Sequence, residues 1–291
     1  IGTVNVGDTS VDEVAALMVG RAVSFKTEKT EADPQEVVLE VENLHVNDTR
    51  NVPTVKGLNL EVRANEIVGI AGVDGNGQTE LIEAIAGLRK VESGSISLNG
   101  KPITKLSPRK VTEMGLGHIP QDRQKMGLVL DFPVSENIVL QSYYKEPYSK
   151  YKLLKYEKID QYAKEIVDEY DVRTPSIHTK TSALSGGNQQ KVIIGREVDR
   201  SPDFLIAAQP TRGLDVGAIE FIHKKLIEER DNGKAVLLVS FELDEILNVS
   251  DRIVVLFDGK IVADVKPSET NEQQLGLLMA GSVEERVGEE T

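Results

Sequence analysis

The run Glu66 to Thr79 (EIVGIAGVDGNGQT) limits the fold more than any other part of the chain. EIVGIA is an apolar, β-rich stretch of the kind buried on both faces, and it leads straight into the glycine loop Gly72 to Thr79 (GVDGNGQT). A helical pattern follows from Thr79 to Leu88. Strand, glycine loop and helix in this order make a phosphate seat. Gly72, Gly75 and Gly77 let backbone N–H groups, including that of Asn76, turn toward an anion, and the helix start adds its dipole. Thr79 is placed to offer its hydroxyl to magnesium. Such loops ordinarily carry lysine after the last glycine, and here that position is Gln78. An amide donates a hydrogen bond without offsetting phosphate charge, so a charge-assisted bond of about 1.5 to 3 kcal/mol becomes a weaker neutral one. Nucleotide binding is expected in diminished form.

From Val37 onward, β-rich runs alternate with helical patterns, which predicts an α/β domain. Phe204 to Ala208 (FLIAA) and Ala235 to Ser240 (AVLLVS) are further buried strands, separated by a helix with Ile219, Ile222 and Leu226 on one face. The core sheet is therefore expected to be mostly parallel. Between about Asp131 and Ala183 the pattern turns helical and holds all seven tyrosines, from Tyr143 to Tyr170. Ile159, Tyr162, Ala163, Ile166, Val167 and Tyr170 keep helical spacing, as an amphipathic helix over a core does.

A second anion seat lies in Ala183 to Val192 (ALSGGNQQKV), where Ser185, Gly186 and Gly187 open a helix, flanked by Leu184 and Asn188. On this stretch, with the glycine loop, residues 37 to 282 resemble an ATP-binding cassette domain: a phosphate-loop α/β fold with an antiparallel β part and a helical subdomain over about residues 131–190. The resemblance makes Leu184 to Asn188 the signature motif, which serves the ATP of a partner domain. Gln121 in HIPQDR matches the Q-loop glutamine, and Asp215 in TRGLD matches the D-loop aspartate. ATP and magnesium are the implied ligands, with Gly72, Gly75, Asn76, Gly77, Gln78, Thr79 and Gln121 as the ATP-binding set and Thr79 as a weak metal position.

Other family positions are altered. The acidic pair before Pro-Thr is Ala208 and Gln209, and the switch histidine is Phe241. Ala and Gln do not organise a metal or polarise water, and Phe does not hydrogen-bond a γ-phosphate. No aromatic lies between Phe25 and Phe132 to stack on adenine. The expected design is asymmetric. This domain lends its signature to a partner's site and holds nucleotide at its own without cutting it, so no catalytic residue is expected in its own site and the isolated domain should be nearly inactive.

Thr270 to Ser282 (TNEQQLGLLMAGS) echoes Thr9 to Arg21 (TSVDEVAALMVGR), which predicts that residues 1–22 end a preceding cassette domain of the same polypeptide. Residues 23–36 read as a solvated linker and 283–291 as an acidic tail.

The formal charge of −13 opposes nonspecific binding to nucleic acid and anionic lipid, and disfavours a cassette ATPase of translation or repair. No apolar run of about 18 residues spans a membrane. Zero cysteines exclude disulfides and thiolate metal sites. His45, His118, His178 and His223 lack metal spacing and read as surface or packing residues.

Within the family, GNGQ, NQQK after the signature and TRGLDVGA resemble the second ATPase domain of bacterial sugar and nucleoside importers, with DFPVSEN and SFELDEI nearest the nucleoside branch. The implied partners are transmembrane permease subunits, and the implied place is the cytoplasmic face of the membrane. A ribose or galactose-type importer, or a regulatory cassette module outside transport, are the alternatives.

Overall fold

The computed structural model describes residues 27–282, so the echo at Thr9 to Arg21 and the acidic tail lie outside the described residues. Strands β1 (Val37–Asn47), β2 (Pro53–Arg63), β4 (Val91–Leu98) and β5 (Lys101–Pro102) form an antiparallel sheet in the order β2-β1-β4-β5. The second sheet runs β12-β11-β3-β10-β9-β6. It is built from β3 (Glu66–Ala71), β6 (Leu116–Ile119), β9 (Phe204–Ala208), β10 (Ala235–Val239), β11 (Arg252–Phe257) and β12 (Lys260–Val265). Five of these strands are parallel and only β12 pairs antiparallel.

Side chains that alternate across the parallel sheet feed two cores. Ala235, Leu237 and Val239 of β10 and Phe204, Ile206 and Ala208 of β9 join the antiparallel sheet and helix α1 (Gln78–Ile85) in one core. Val236 and Leu238, with Leu205 and Ala207, face the helices α5 (Gly186–Val198) and α6 (Val216–Asp231) in the other. Burial on both faces explains why these strands read as unbroken apolar runs.

The structure adjusts three expectations. Helix α1 stops at Ile85 rather than Leu88, because Gly87 (φ 72°) leaves the helical region two residues later. On α6 the buried stripe is Ala218, Ile222, Leu226 and Ile227, with Ile219 only half-buried. The helical insertion also has different contents: between α3 (Val134–Ile138) and α4 (Tyr156–Glu169) it holds a hairpin of β7 (Ser149–Lys150) and β8 (Leu153–Leu154), and α5 carries it on to Val198.

Residues 27–35 are irregular, as the linker reading expects, but they are not wholly solvated. The Lys29 ammonium donates to the Val249 carbonyl at 3.0 Å and pairs with Asp251. Arg230, 1% exposed, donates to the Thr30 carbonyl and to Asp251. Charge in KTEKTEADPQE thus serves docking as well as solvation.

The insertion is tied to the sheet by a buried charge network. Glu197 on α5 is fully buried, accepts from the His118 N–H of β6 at 3.2 Å and from Gln141, and pairs with Arg196 and Arg200. Burial opposes its ionisation, but the two guanidiniums and the N–H overcome it and hold the carboxyl below the usual carboxylate range. Glu197→Gln should cost about 3 to 5 kcal/mol in chemical denaturation, because the buried Arg196 loses its counter-charge. A depressed carboxyl stabilises above its unfolded value, so the difference between wild type and variant should persist at neutral pH and shrink as the pH falls through the lowered folded value.

Candidate functional site

Strands β3, β10, β9 and β6 lie side by side with Ile70, Val239 and Ala208 level and Ile119 paired to Ala207, so the segments that follow them share one edge. Those segments carry the glycine loop, Phe241, Gln209 and Gln121. Crevices at the carboxyl edge of a parallel sheet are where such folds take ligands. Here a cleft of about 580 Å³ is lined by residues that include Thr79, Glu83, His118, Gln121, Ala208 and Arg212.

The glycine loop is held from below. Gly77 has φ 108° and sits so close to the Thr54 carbonyl that a Cβ would lie 2.7 Å from it. Asn76 accepts from the Asp258 N–H at 2.8 Å and donates to the Val73 carbonyl at 3.1 Å, which fastens the loop to the β11–β12 turn. The Gln78 amide, 3% exposed, folds back and donates to the same Val73 carbonyl at 3.0 Å. Helix α1 begins at Gly77 without a side-chain cap, leaving its first N–H groups for the loop, and Thr79 is exposed. Uncapped N–H groups around an open glycine loop fit a phosphate chain. Thr79 offers one hydroxyl beside them, and among the described residues no group of three or more His, Cys, Asp or Glu side chains converges.

At the end of β9 the backbone keeps a shape suited to a specialised side chain. Gln209 has φ 48°, its N–H donates to the Val239 carbonyl at 2.7 Å, and its side-chain amide nitrogen is buried without a partner. Its neighbour Ala208 lies in the cleft wall, and Phe241 is half-exposed after β10. No carboxylate stands at these positions.

The second group of predicted residues gathers elsewhere. Ser185 caps α5, its hydroxyl near the Asn188 N–H at 3.4 Å and accepting from the Asn188 amide at 3.0 Å. A Cβ on Gly187 would lie 3.6 Å from the Asp215 carboxylate, and Asp215 caps α6 through the Ala218 N–H at 3.0 Å. Leu184 packs on the core below while Ser185 stays exposed. None of Leu184 to Asn188 lines the cleft. The structure thus brings the loop, Gln121 and Ala208 together, and separately Ser185, Gly187 and Asp215.

Arg123 was not singled out from the sequence, yet it bridges the two groups. It follows Gln121 by two residues, donates to the Arg212 carbonyl at 2.8 Å, and its guanidinium lies against Gly186. His118 also lines the cleft; burial keeps its imidazole below the usual range, against the pull of Glu197. Only the spacing to Gln121 hinted at Arg123.

Sheet order and glycine loop together define a phosphate-loop nucleotide-binding domain. Residues 55–212 match the family described as ABC transporter, and the chain belongs to that family. It is 65% identical over 288 residues to the guanosine import ATP-binding protein NupO of Bacillus subtilis, a match covering 99% of this chain and 56% of that protein. It is 60% identical over 281 residues to the nucleoside import ATP-binding protein NupA of Lactococcus lactis, covering 97% and 56%. The chain therefore spans about half the length of these curated relatives. In fold it resembles a nucleotide-free ATP-binding cassette from an ABC transporter, with TM-score 0.69 and 24% identity over 84% of this chain and 96% of that one.

Gly77→Ala should destabilise the domain by about 1 to 3 kcal/mol, since both the left-handed backbone and the Thr54 carbonyl oppose a Cβ. Gly276→Ala, on α8 (Glu272–Met279) with open space around it, should leave the thermal midpoint unchanged or raised, and parallel melts compare the two.

Proposed function

We propose that this chain is the second, hydrolytically degenerate cassette of a bacterial nucleoside importer, lending Ser185, Gly186, Gly187 and Asp215 to the ATP held by a first cassette in the same polypeptide. The observation that carries the reading is the contrast between the two groups of residues. The Ser185 cap and Asp215 are intact and adjacent, while the strand ends of the cleft carry Ala208, Gln209 and Phe241. Names of the relatives favour nucleoside cargo, and their length leaves room for the other cassette. The echo between Thr9 to Arg21 and Thr270 to Ser282 supports the same order.

At its own cleft the loop N–H groups and the start of α1 hold the phosphates, and Gln78 contributes one neutral donor once it leaves Val73. Without a carboxylate at Ala208 or Gln209, water there is not activated and a metal is held weakly. Across the cassette interface, the Gly186 and Gly187 N–H groups at the start of α5 and the Ser185 hydroxyl face the partner's terminal phosphate and stabilise charge that develops there. Clamping around ATP drives the permease subunits on the cytoplasmic face, and hydrolysis at the partner's site resets them. A sugar importer would use the same residues, since none of them meets cargo; uptake of radiolabelled guanosine against ribose separates the two.

In the full-length transporter with its permease, Ser185→Arg should reduce ATP hydrolysis and nucleoside uptake by about 100-fold or more, the scale of losing an anion-stabilising donor set. Gln209→Ala should change hydrolysis less than about twofold. Hydrolysis that instead depends on Gln209 and tolerates Ser185→Arg sinks the reading. Gln78→Lys should tighten nucleotide at this cleft by about tenfold, measured by titration with a fluorescent ATP analogue.

A further inference from the structure

Residues 150–158, KYKLLKYEK, are exposed without a break, and none of them lines the cleft. They form the hairpin of β7 and β8, with Ser149 opposite Leu154 and Lys150 opposite Leu153, and the start of α4. Tyr151 and Lys152 make the turn, with φ 52° and 64°. Two-residue turns with positive φ at both positions are ordinarily Asn-Gly, because a larger side chain is crowded there. A tyrosine in this turn stores strain that the packing of the domain does not explain.

The base of the hairpin is firmly seated. Ser149 is buried, the Lys155 N–H donates to the Tyr148 carbonyl at 2.8 Å, and the Tyr148 ring lies 5.3 Å from that of Tyr162. The tip is the reverse: Tyr151 is 87% exposed, Leu153 73% and Tyr156 55%. A rigid base therefore holds large apolar side chains out in water.

Charge around the tip is opposite to that of the chain. Lys145, Lys150, Lys152, Lys155 and Lys158 stand against only Glu146 and Glu157 within residues 145–158, in a protein of formal charge −13. Among the described residues, Lys150, Lys152 and Lys155 make no ion pair; the Lys150 ammonium lies 5.5 Å from the Tyr151 ring centroid instead. Charges separate beyond about 8 Å at physiological salt act almost independently, so the hairpin meets a surface as a cation whatever the total charge.

We propose that this hairpin contacts the anionic headgroup layer of a lipid bilayer. Lysine ammoniums reach lipid phosphates while their stems lie along apolar surface, tyrosine rings sit at the headgroup level, and Leu153 and Leu154 enter the acyl boundary. A purely electrostatic polyanion such as nucleic acid has no use for the two leucines. The contact is superficial and spans nothing, in keeping with helices none of which, among the described residues, is long and apolar enough to cross a membrane.

Sedimentation of the purified full-length polypeptide with vesicles tests this. The vesicles are phosphatidylcholine alone or with about 30 mol% phosphatidylglycerol, at low and high salt. Wild type should sediment with the anionic vesicles and not the neutral ones, and less at high salt. The combined variant Lys150→Glu, Lys152→Glu, Lys155→Glu should partition about tenfold or more weakly. A second variant, Tyr151→Ser with Leu153→Ser, should lose the part of binding that salt leaves. Tip substitutions leave the base intact, so unchanged thermal melting certifies folding, and the second variant alone decides the matter if the first fails to fold. Wild type that ignores anionic vesicles at low salt, or variants that bind them as well as wild type, overturns the proposal. Loss of co-purification with a membrane protein subunit, with vesicle binding unchanged, assigns the tip to a protein partner and overturns it equally.

Discussion

Every functional element of this chain depends on four parallel strands ending in register. Backbone pairing sets Ile70, Val239 and Ala208 level, with Ile119 one residue short beside Ala207, and the segments beyond them emerge at one edge whatever side chains they carry. Because the ladder is made by main-chain groups and the strands are apolar on both faces, the edge persists when the chemistry on it changes. Uncharged residues at Ala208 and Gln209 are therefore cheap in folding terms. They also put no charge in a buried place, where ionised carboxylates are held only at a cost.

Retained geometry around a changed side chain says more than the change alone. Gln209 keeps φ 48° and a tight N–H bond to Val239, a backbone conformation that disfavours non-glycine residues. Its amide nitrogen ends buried and unpartnered, the kind of group that packing removes unless something comes to meet it. Gln78 takes the opposite course, satisfied inside the loop by Val73. Of the two glutamines, Gln78 is satisfied within the scaffold and Gln209 is buried beside the cleft-lining Ala208 with its amide nitrogen unpartnered.

Much of the fold was legible because its signals are local. EIVGIA and FLIAA are strands where apolar runs place them, AVLLVS is one as far as Val239, and Ser185 caps a helix as its sequence context demands. Contacts between distant segments were not legible. Lys29 meets Asp251 and Arg230 meets Thr30 across 200 residues of chain or more, Asn76 holds a turn at Asp258, and Arg123 reaches Arg212 and Gly186. None of these leaves a periodic trace. The linker misled for the same reason, since a lysine read in isolation looks solvated until its carbonyl partners are known. The hairpin at Ser149 to Leu154 was hidden because its turn residues, tyrosine and lysine, carry no turn signal.

Net charge misleads in a similar way, as an average over a surface that is not uniform. A total of −13 correctly weighs against long-range attraction to polyanions, whose affinity sums many phosphate contacts. It says little about a local patch, where within residues 145–158 five lysines outnumber two glutamates. By the same reasoning, buried pairs such as Glu197 with Arg196 are expected to resist salt and the exposed lysines of the hairpin to answer to it. Screening acts on what water reaches, and in this chain the charges that hold the insertion to the sheet are out of its reach.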